Sequence, residues 1–491
     1  MNSLYEIVSI MNSEDKKEFI RYLNKRNKRL DIKNISYFKN LENDDIIKEK
    51  YFNKQAYHAL RKRLYDNLIE FLSNRTFEKN TDEIHASLRF LVLSNFFLEH
   101  NLEKDALKYL KKAEERAIHL EQFSLLNEIY QTQINYLHLF PNQDLNYLTD
   151  KINFNLNQIQ KEIQLNIGYA FIRKELQKIH QEKKVINFKN LINDILIKLD
   201  LNFNEIITYK SLYQILFIGN EFGNIHQNFS LIEPFVKSGY EFLESKKDNS
   251  ENHLFYHIQI VYFLANFHFR TNQFAECQQY LDEMKTLMQK KNKAYLKTFY
   301  LKYNLLFSLN IHYSGNSKMA MDKVESVLKN SAKKDKIEDL YDLKLTLATF
   351  YAQHNDRKVL KLISQMNHTD FWFEKKMGML WTIRKNLLEI LIQVQFENTE
   401  LAVSRLQSFK RRYKKYLWEV NETRVMDFVS MVESMVKKPE IIKDLKFKEE
   451  IYKVFKTDEN LDPFILSFWG WIICQIENKT PYEATLELIK K

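Results

Sequence analysis

The stretch Phe90–Ala113, FLVLSNFFLEHNLEKDALKYLKKA, decides how the chain is read. In its first half Phe90, Leu93, Ser94 and Phe97 recur at spacings of three, one and three, so they share one helical face. In its second half Ala106, Leu110 and Ala113 form a matching stripe, and the polar residues His100–Glu103 lie between the two. Ala106 and Ala113 are small, which lets two helices approach closely where their ridges cross. The stretch therefore predicts a helix pair joined by a short polar turn.

The same internal spacing returns twice. Val261, Leu264, Ala265 and His268 are followed by Cys277 and Leu281, and Asn304, Phe307, Ser308 and Ile311 by Ala320 and Val324. These residues resemble the tetratricopeptide repeat, W-x-x-L-G-x-x-Y followed by A-x-x-x-F. Phe90 stands for the Trp, Ser94 for the small residue, Phe97 for the Tyr and Ala106 for the Ala. The closing Pro is absent, with Ile118 in its place. The later copies start at 261 and 304, a separation of 43 residues, against about 34 for that family. The helices are therefore longer than the family norm, and the chain is read as tetratricopeptide-like over residues 83 to 416. The resemblance implies an all-α fold, an α-solenoid of antiparallel helix pairs wound as a right-handed superhelix.

Composition agrees with that class. Only 7 Gly and 5 Pro occur in 491 residues, too few for a strand-rich fold or for phosphate-cradling loops. Hydrophobic residues at 45% can supply a continuous core. A repeat array escapes the usual relation between length and domain number, because each repeat contacts only its neighbours. Cys277 and Cys474 lie far apart in sequence, which argues against a disulfide framework and a thiolate metal site. Glu6 interrupts the N-terminal apolar run, so no signal peptide is expected. The longest apolar run, Phe464–Ile476, is shorter than the ~20 residues a membrane span needs. No membrane insertion and a cytoplasmic location are the expectation. The net charge of +10 permits nucleic acid, a ribosome or an acidic protein as partner without requiring any.

Three regions are predicted. Residues 1–78 form an N-terminal helical domain, with helices over Leu4–Met11, Ser13–Lys25, Lys33–Leu41 and Asp45–Phe52, and a strong amphipathic helix over Gln55–Asn74 bearing Leu60, Leu64, Leu68 and Leu72 in register. Thr76–Asp82 reads as a linker. Residues 83–416 carry eight helix pairs. They are Glu83–Glu99 with Glu103–His119, Phe123–Leu139 with Gln143–Glu162, Leu165–His180 with Phe188–Leu199, and Asn204–Asn220 with Ser230–Glu244. The remaining four are His253–Arg270 with Gln273–Gln289, Lys293–Tyr313 with Ser317–Lys329, Lys336–Gln353 with Arg357–Met366, and Phe373–Val394 with Glu400–Tyr416. Gly315 is expected to end one helix and Pro234 to start another. Residues 421–491 break the pattern into four shorter helices, read as a C-terminal cap. Their cluster Phe464, Phe468, Trp469 and Trp471 suits either a covered apolar end or an exposed docking patch.

No catalytic motif is present. G-x-G-x-x-G, G-x-x-x-x-G-K and G-x-S-x-G are all absent. His253 and His257 have a ligating spacing, but Leu254 stands where a metalloprotease helix needs Glu, and no third ligand can be named. Neither an enzyme, a small-molecule substrate, a metal nor a cofactor is expected. The leading function is a non-enzymatic scaffold that takes a protein or peptide in its groove. The resemblance places the first helix of each pair on that groove, with Leu91, Asn95 and Leu98 in the first pair, Tyr262, Asn266, Phe269 and Arg270 in the fifth, and Lys302, Leu309 and His312 in the sixth. Asn95 and Asn266 are equivalent positions, and an Asn there can bond both backbone groups of an extended peptide. The alternative is a nucleic-acid- or ribosome-associated regulator. Lys410, Arg411, Arg412, Lys414 and Lys415 cluster beside Tyr413 and Tyr416, where cations could hold phosphates and the rings could stack bases.

Overall fold

The computed structural model describes residues 4, 7–8, 11, 13–26, 33–39, 41, 54–79, 83–139, 144–182, 208–226, 229–246, 251–332, 335–419, 423–455 and 462–490. They contain 22 α-helices, and no strand occurs among the described residues. None of these helices is long and apolar enough to cross a membrane. Contacts divide the chain into two units, residues 1–148 and 149–491.

The first unit holds helices α1 (Ser13–Arg26), α2 (Lys33–Lys39), α3 (Lys54–Lys79), α4 (Glu83–Glu99), α5 (Glu103–His119) and α6 (Phe123–Asn135). Helices α1 to α3 share a core in which Phe19, Leu64 and Leu68 are fully buried. Arg75 locks α3 to α1 by pairing with Asp15 at 2.8 Å and Glu18 at 2.5 Å. The expected linker is shorter than read, because α3 continues through Thr76 to Lys79. The helix expected at 45–52 lies outside the described residues.

The pair read first in the sequence, α4 and α5, packs as its small residues require. Ser94, Ala106, Leu110 and Ala113 are all fully buried. Ser94 donates its hydroxyl to the Ala106 carbonyl at 2.9 Å, and Ser87 does the same to Ala113 at 2.8 Å. A side chain as short as serine reaches a neighbouring backbone only where two helices nearly touch.

The second unit begins within α7 (Leu145–Glu182) and continues with α8 (Tyr209–His226), α9 (Glu233–Ser245), α10 (Leu254–Arg270), α11 (Phe274–Lys293), α12 (Leu296–Tyr313), α13 (Ser317–Lys329), α14 (Ile337–Gln353) and α15 (Lys358–Ser364). It ends with α16 (Asp370–Met377), α17 (Met379–Gln395), α18 (Thr399–Glu419), α19 (Thr423–Lys437), α20 (Leu445–Phe455), α21 (Pro463–Glu477) and α22 (Pro481–Lys490). Two expected boundaries are corrected. The break before Leu165 is absent, since α7 runs unbroken for 38 residues, through Gly168 and without a Pro. The helix expected over Phe373–Val394 is broken at Gly378, whose φ of 91° ends α16 and starts α17. The predicted segments 188–199 and 204–207 lie outside the described residues.

In the second unit consecutive helices pack from α8 through α15, and α10, α12, α14 and α17 also pack on one another in series. The small positions again mark the closest approaches, with Ala265, Cys277, Ser308 and Ala320 all fully buried. The turns repeat as well. Asn272, Gly315, Asn355 and Glu397 each adopt a left-handed φ, at 62°, 103°, 56° and 62°. After each of them the next N–H returns to a carbonyl five residues back: Gln273 to His268, Asn316 to Ile311, Asp356 to Tyr351 and Asn398 to Gln393, at 2.8 to 3.0 Å. This is the left-handed helix ending with a six-to-one hydrogen bond. The four turns stand 43, 40 and 42 residues apart.

Candidate ligand site

The turn spacing sets the register of everything on this row of helices. Arg270, Tyr313, Gln353 and Gln395 each lie two residues before the left-handed position, and each is the last residue of its helix. This column faces the C-terminal hairpin α21–α22, which lies across the helix ends. Asp462, which caps α21 by accepting from the N–H groups of Phe464 and Ile465, pairs with Arg270 through Nε at 3.0 Å and Nη2 at 2.5 Å. Trp471 Nε1 donates to Gln395 at 3.4 Å, and Gln353 Nε2 donates to Thr485 at 3.4 Å. Tyr482 donates to the His312 carbonyl at 2.7 Å, and Phe464 lies 5.7 Å from Phe269, ring to ring.

Two expected groove residues are therefore corrected. Arg270 is 8% exposed and His312 fully buried, both beneath the hairpin. His312 stacks on Phe350 at 3.7 Å and its Nε2 meets Gln353 at 2.6 Å. Burial pushes its imidazole down to about 3, so the ring is neutral. Phe269 and Leu309 are also buried. The aromatic cluster at the C-terminus resolves toward core, since Trp469 and Trp471 are buried. Its target is more distant than a terminal cap implies, reaching back 192 residues to Arg270.

Tyr262 and Asn266, by contrast, stay partly exposed on α10. Asn266 donates to Asn220 at 2.7 Å. Lys302 stands over the Tyr262 ring at 6.0 Å. Asp339 and Asp342 on α14, and Trp381 and Arg384 on α17, are partly exposed in the same series of helices. Trp381 Nε1 donates to Asp342 at 2.8 Å, yet burial still raises that carboxyl to about 6. Sequence reading missed these four residues because the repeat motif is too degenerate in α14 and α17 to place their phase. The left-handed turns at Asn355 and Glu397 would have supplied it. Asn95 is exposed on α4 of the first unit, where Leu91 and Leu98 are buried.

The basic segment is only partly as expected. Helix α18 turns Tyr413 and Tyr416 into the core, 1% and 6% exposed, so neither ring can stack a base. Lys410 pairs with Glu433, and Arg412 donates to Glu374 at 2.7 Å. Lys415 reaches Glu419 only at 3.8 Å, and Arg411 and Lys414 are exposed. Of the two histidines with ligating spacing, His253 stacks on Tyr209 and His257 lies 3.4 Å from Glu283. No group of three His, Cys, Asp or Glu that could hold a metal ion occurs among the described residues.

Beside the hairpin lies a cavity of about 130 Å³, lined by apolar residues of α17, α19 and α21 together with Asn224, Arg270, Arg384, Arg424 and Asp462. A second cavity of about 80 Å³ shares Arg384 and Phe464 with it and extends toward Leu309, Asp342 and Trp381. No family model, curated protein or solved structure matches the chain.

Proposed function

We propose that this chain is a tetratricopeptide-like solenoid whose antiparallel helix pairs form a non-enzymatic scaffold for a protein or peptide partner. The reading rests on one observation: a partly exposed strip of mixed character crosses four helices in series, with Tyr262 and Asn266, Lys302, Asp339 and Asp342, then Trp381 and Arg384. Such a strip offers aromatic area together with donors and acceptors of both charges, the mixture that recognition surfaces favour over uniform apolarity. The neighbouring column of the same helices already holds a helical hairpin in cis, so its geometry suits chain recognition. The docking positions are thereby moved from Arg270 and His312 to this strip.

A photo-cross-linking residue placed at Tyr262, and in a second protein at the exposed Met319 of α13, tests the reading in the native host. One defined protein captured at 262 but not at 319, and lost when Asn266 and Lys302 are both changed to Ala with helical content unchanged, is the expected result. Equal capture at both positions, or capture that survives the double substitution, would overturn it.

A further inference from the structure

The cavity beside the hairpin contains an arginine that the protein itself leaves unsatisfied. Arg270 directs three of its five N–H donors, one from each nitrogen, to Asp462 and Asn224, and Asp462 spends its oxygens on Arg270 and on the start of α21. Arg384 differs. Its guanidinium lies 4.7 Å from the Phe464 ring centre, and among the described residues it forms neither a hydrogen bond nor an ion pair. Asp462 and Asp342 are near enough to favour its charge, but burial and Arg270 oppose it and win. Its donors open on the cavity without an acceptor among the described residues, so an anion that enters can take them.

The rest of the lining states what kind of anion. Three arginines against one aspartate leave the wall cationic, while Leu380, Ile383, Leu387, Phe428 and Phe468 make its body apolar. A phosphate would want several free donor groups, and all three nitrogens of Arg270 are already engaged by Asp462 and Asn224. One planar guanidinium matches one carboxylate through two parallel hydrogen bonds. The volume of about 130 Å³ is close to that of an apolar cavity of roughly 150 Å³ known to admit benzene. We propose that this cavity binds a small organic acid, its carboxylate on Arg384 and a ring-sized apolar body against Ile383, Phe428 and Phe468. The acid would touch α17, α19 and α21 together, so its binding would also hold the hairpin in place. The proposal is independent of whether the strip binds a protein partner.

Phenylacetate is the probe, with phenylacetamide as its uncharged counterpart, titrated against the full chain by calorimetry and by ligand-detected NMR. The expected result is saturable phenylacetate binding, about tenfold or more weaker for the amide and for Arg384→Met, with slower amide exchange across 463–477 in the bound wild type. Arg384→Met should also melt close to the wild type, because no hydrogen bond or ion pair is lost and Met keeps an apolar stem against Phe464; that readout separates a lost site from a lost fold. Equal affinity of the wild type and Arg384→Met would overturn the proposal. So would the absence of saturable binding by phenylacetate, 4-methylvalerate and octanoate alike. Binding confined to N-acetylphenylalanine would mark a peptide end as the ligand and overturn the free-acid assignment.

Discussion

Asp462→Asn is the most informative single change in this protein. Asn caps a helix about as well as Asp, so the bonds to the N–H groups of Phe464 and Ile465 are kept and only the charge is lost. That charge faces Arg270, and the two side chains are 4% and 8% exposed. Arg270 would keep its bond to Asn224 and its place 4.2 Å from the Phe229 ring, but with no counterion. Removing one partner of a buried pair costs about 3–5 kcal/mol, chiefly because the other charge stays buried. Since every 1.4 kcal/mol is tenfold, local opening of the hairpin should rise by about a hundredfold or more. Hydrogen exchange of residues 463–490 in the full chain reads this directly, without assuming that 491 residues unfold as one unit. Adding Arg270→Met should recover part of the loss, because the orphaned cation goes with it. Glu440→Gln, at the exposed pair with Lys443 in the 3-10 turn after α19, should change exchange by less than about twofold. If Asp462→Asn left exchange across the hairpin within about threefold of wild type, the ion pair would not be what fastens it.

Three further outcomes follow from the same contacts. A Cβ on Gly470 would lie 2.2 Å from Thr485 Oγ1 and 3.0 Å from the Thr485 Cα, so Gly470→Ala should weaken the α21–α22 contact by about 1–3 kcal/mol; unchanged melting and unchanged exchange at 481–490 would refute the close packing. Glu397 holds a left-handed φ of 62° that favours Gly, so Glu397→Gly should stabilise by about 1 kcal/mol, with Gly315→Ala the converse; thermal melts of both would have to move oppositely. His312 is held neutral down to about 3 against an ordinary value of 6.5. The unfolded chain therefore binds the extra proton in between, so stability is full above pH 6.5 and falls with acid by up to about 1.4 kcal/mol per pH unit from this group. His312→Gln should flatten the melting curve between pH 6.5 and 5, and parallel curves would show that the ring already titrates in the fold.

Most helices were legible because their periodicity is strong and because Gly and Pro are scarce. Ser94, Ala106, Ala265, Cys277, Ser308 and Ala320 carried the repeat, and all six are fully buried. The errors share a cause. The sequence has many apolar positions and little punctuation, so a boundary can be invented where none exists, as before Leu165, or missed where one glycine makes it, as at Gly378. The site was less legible. Repeat phase alone places Arg270 and His312 on an open surface, because phase reports which way a residue faces and not what arrives to cover it. What covers them begins at Asp462, and no local pattern links two residues 192 apart. In the basic segment the five cations and two tyrosines are neighbours in sequence, but a helix rotates about 100° per residue and sends Tyr413 and Tyr416 inward.

The register of the turns explains why covering one column leaves another available. A left-handed residue every 40 to 43 positions fixes where each helix stops, and so fixes a last residue that always faces the same side. Arg270, Gln353 and Gln395 occupy that column, and a segment with complementary groups at Asp462, Thr485 and Trp471 satisfies all three. Tyr262, Asn266, Lys302 and Asp339 lie on the same series of helices, further from their C-terminal ends. They are partly exposed. Arg384 stands where the two regions meet, lining the cavities on both sides of Phe464. A ligand that satisfied it would act on hairpin and strip together, since Phe464 belongs to one and Arg384 to the other. Coupling of that kind needs no moving part beyond the hairpin's own docking equilibrium, biased by whatever binds its docked form more tightly.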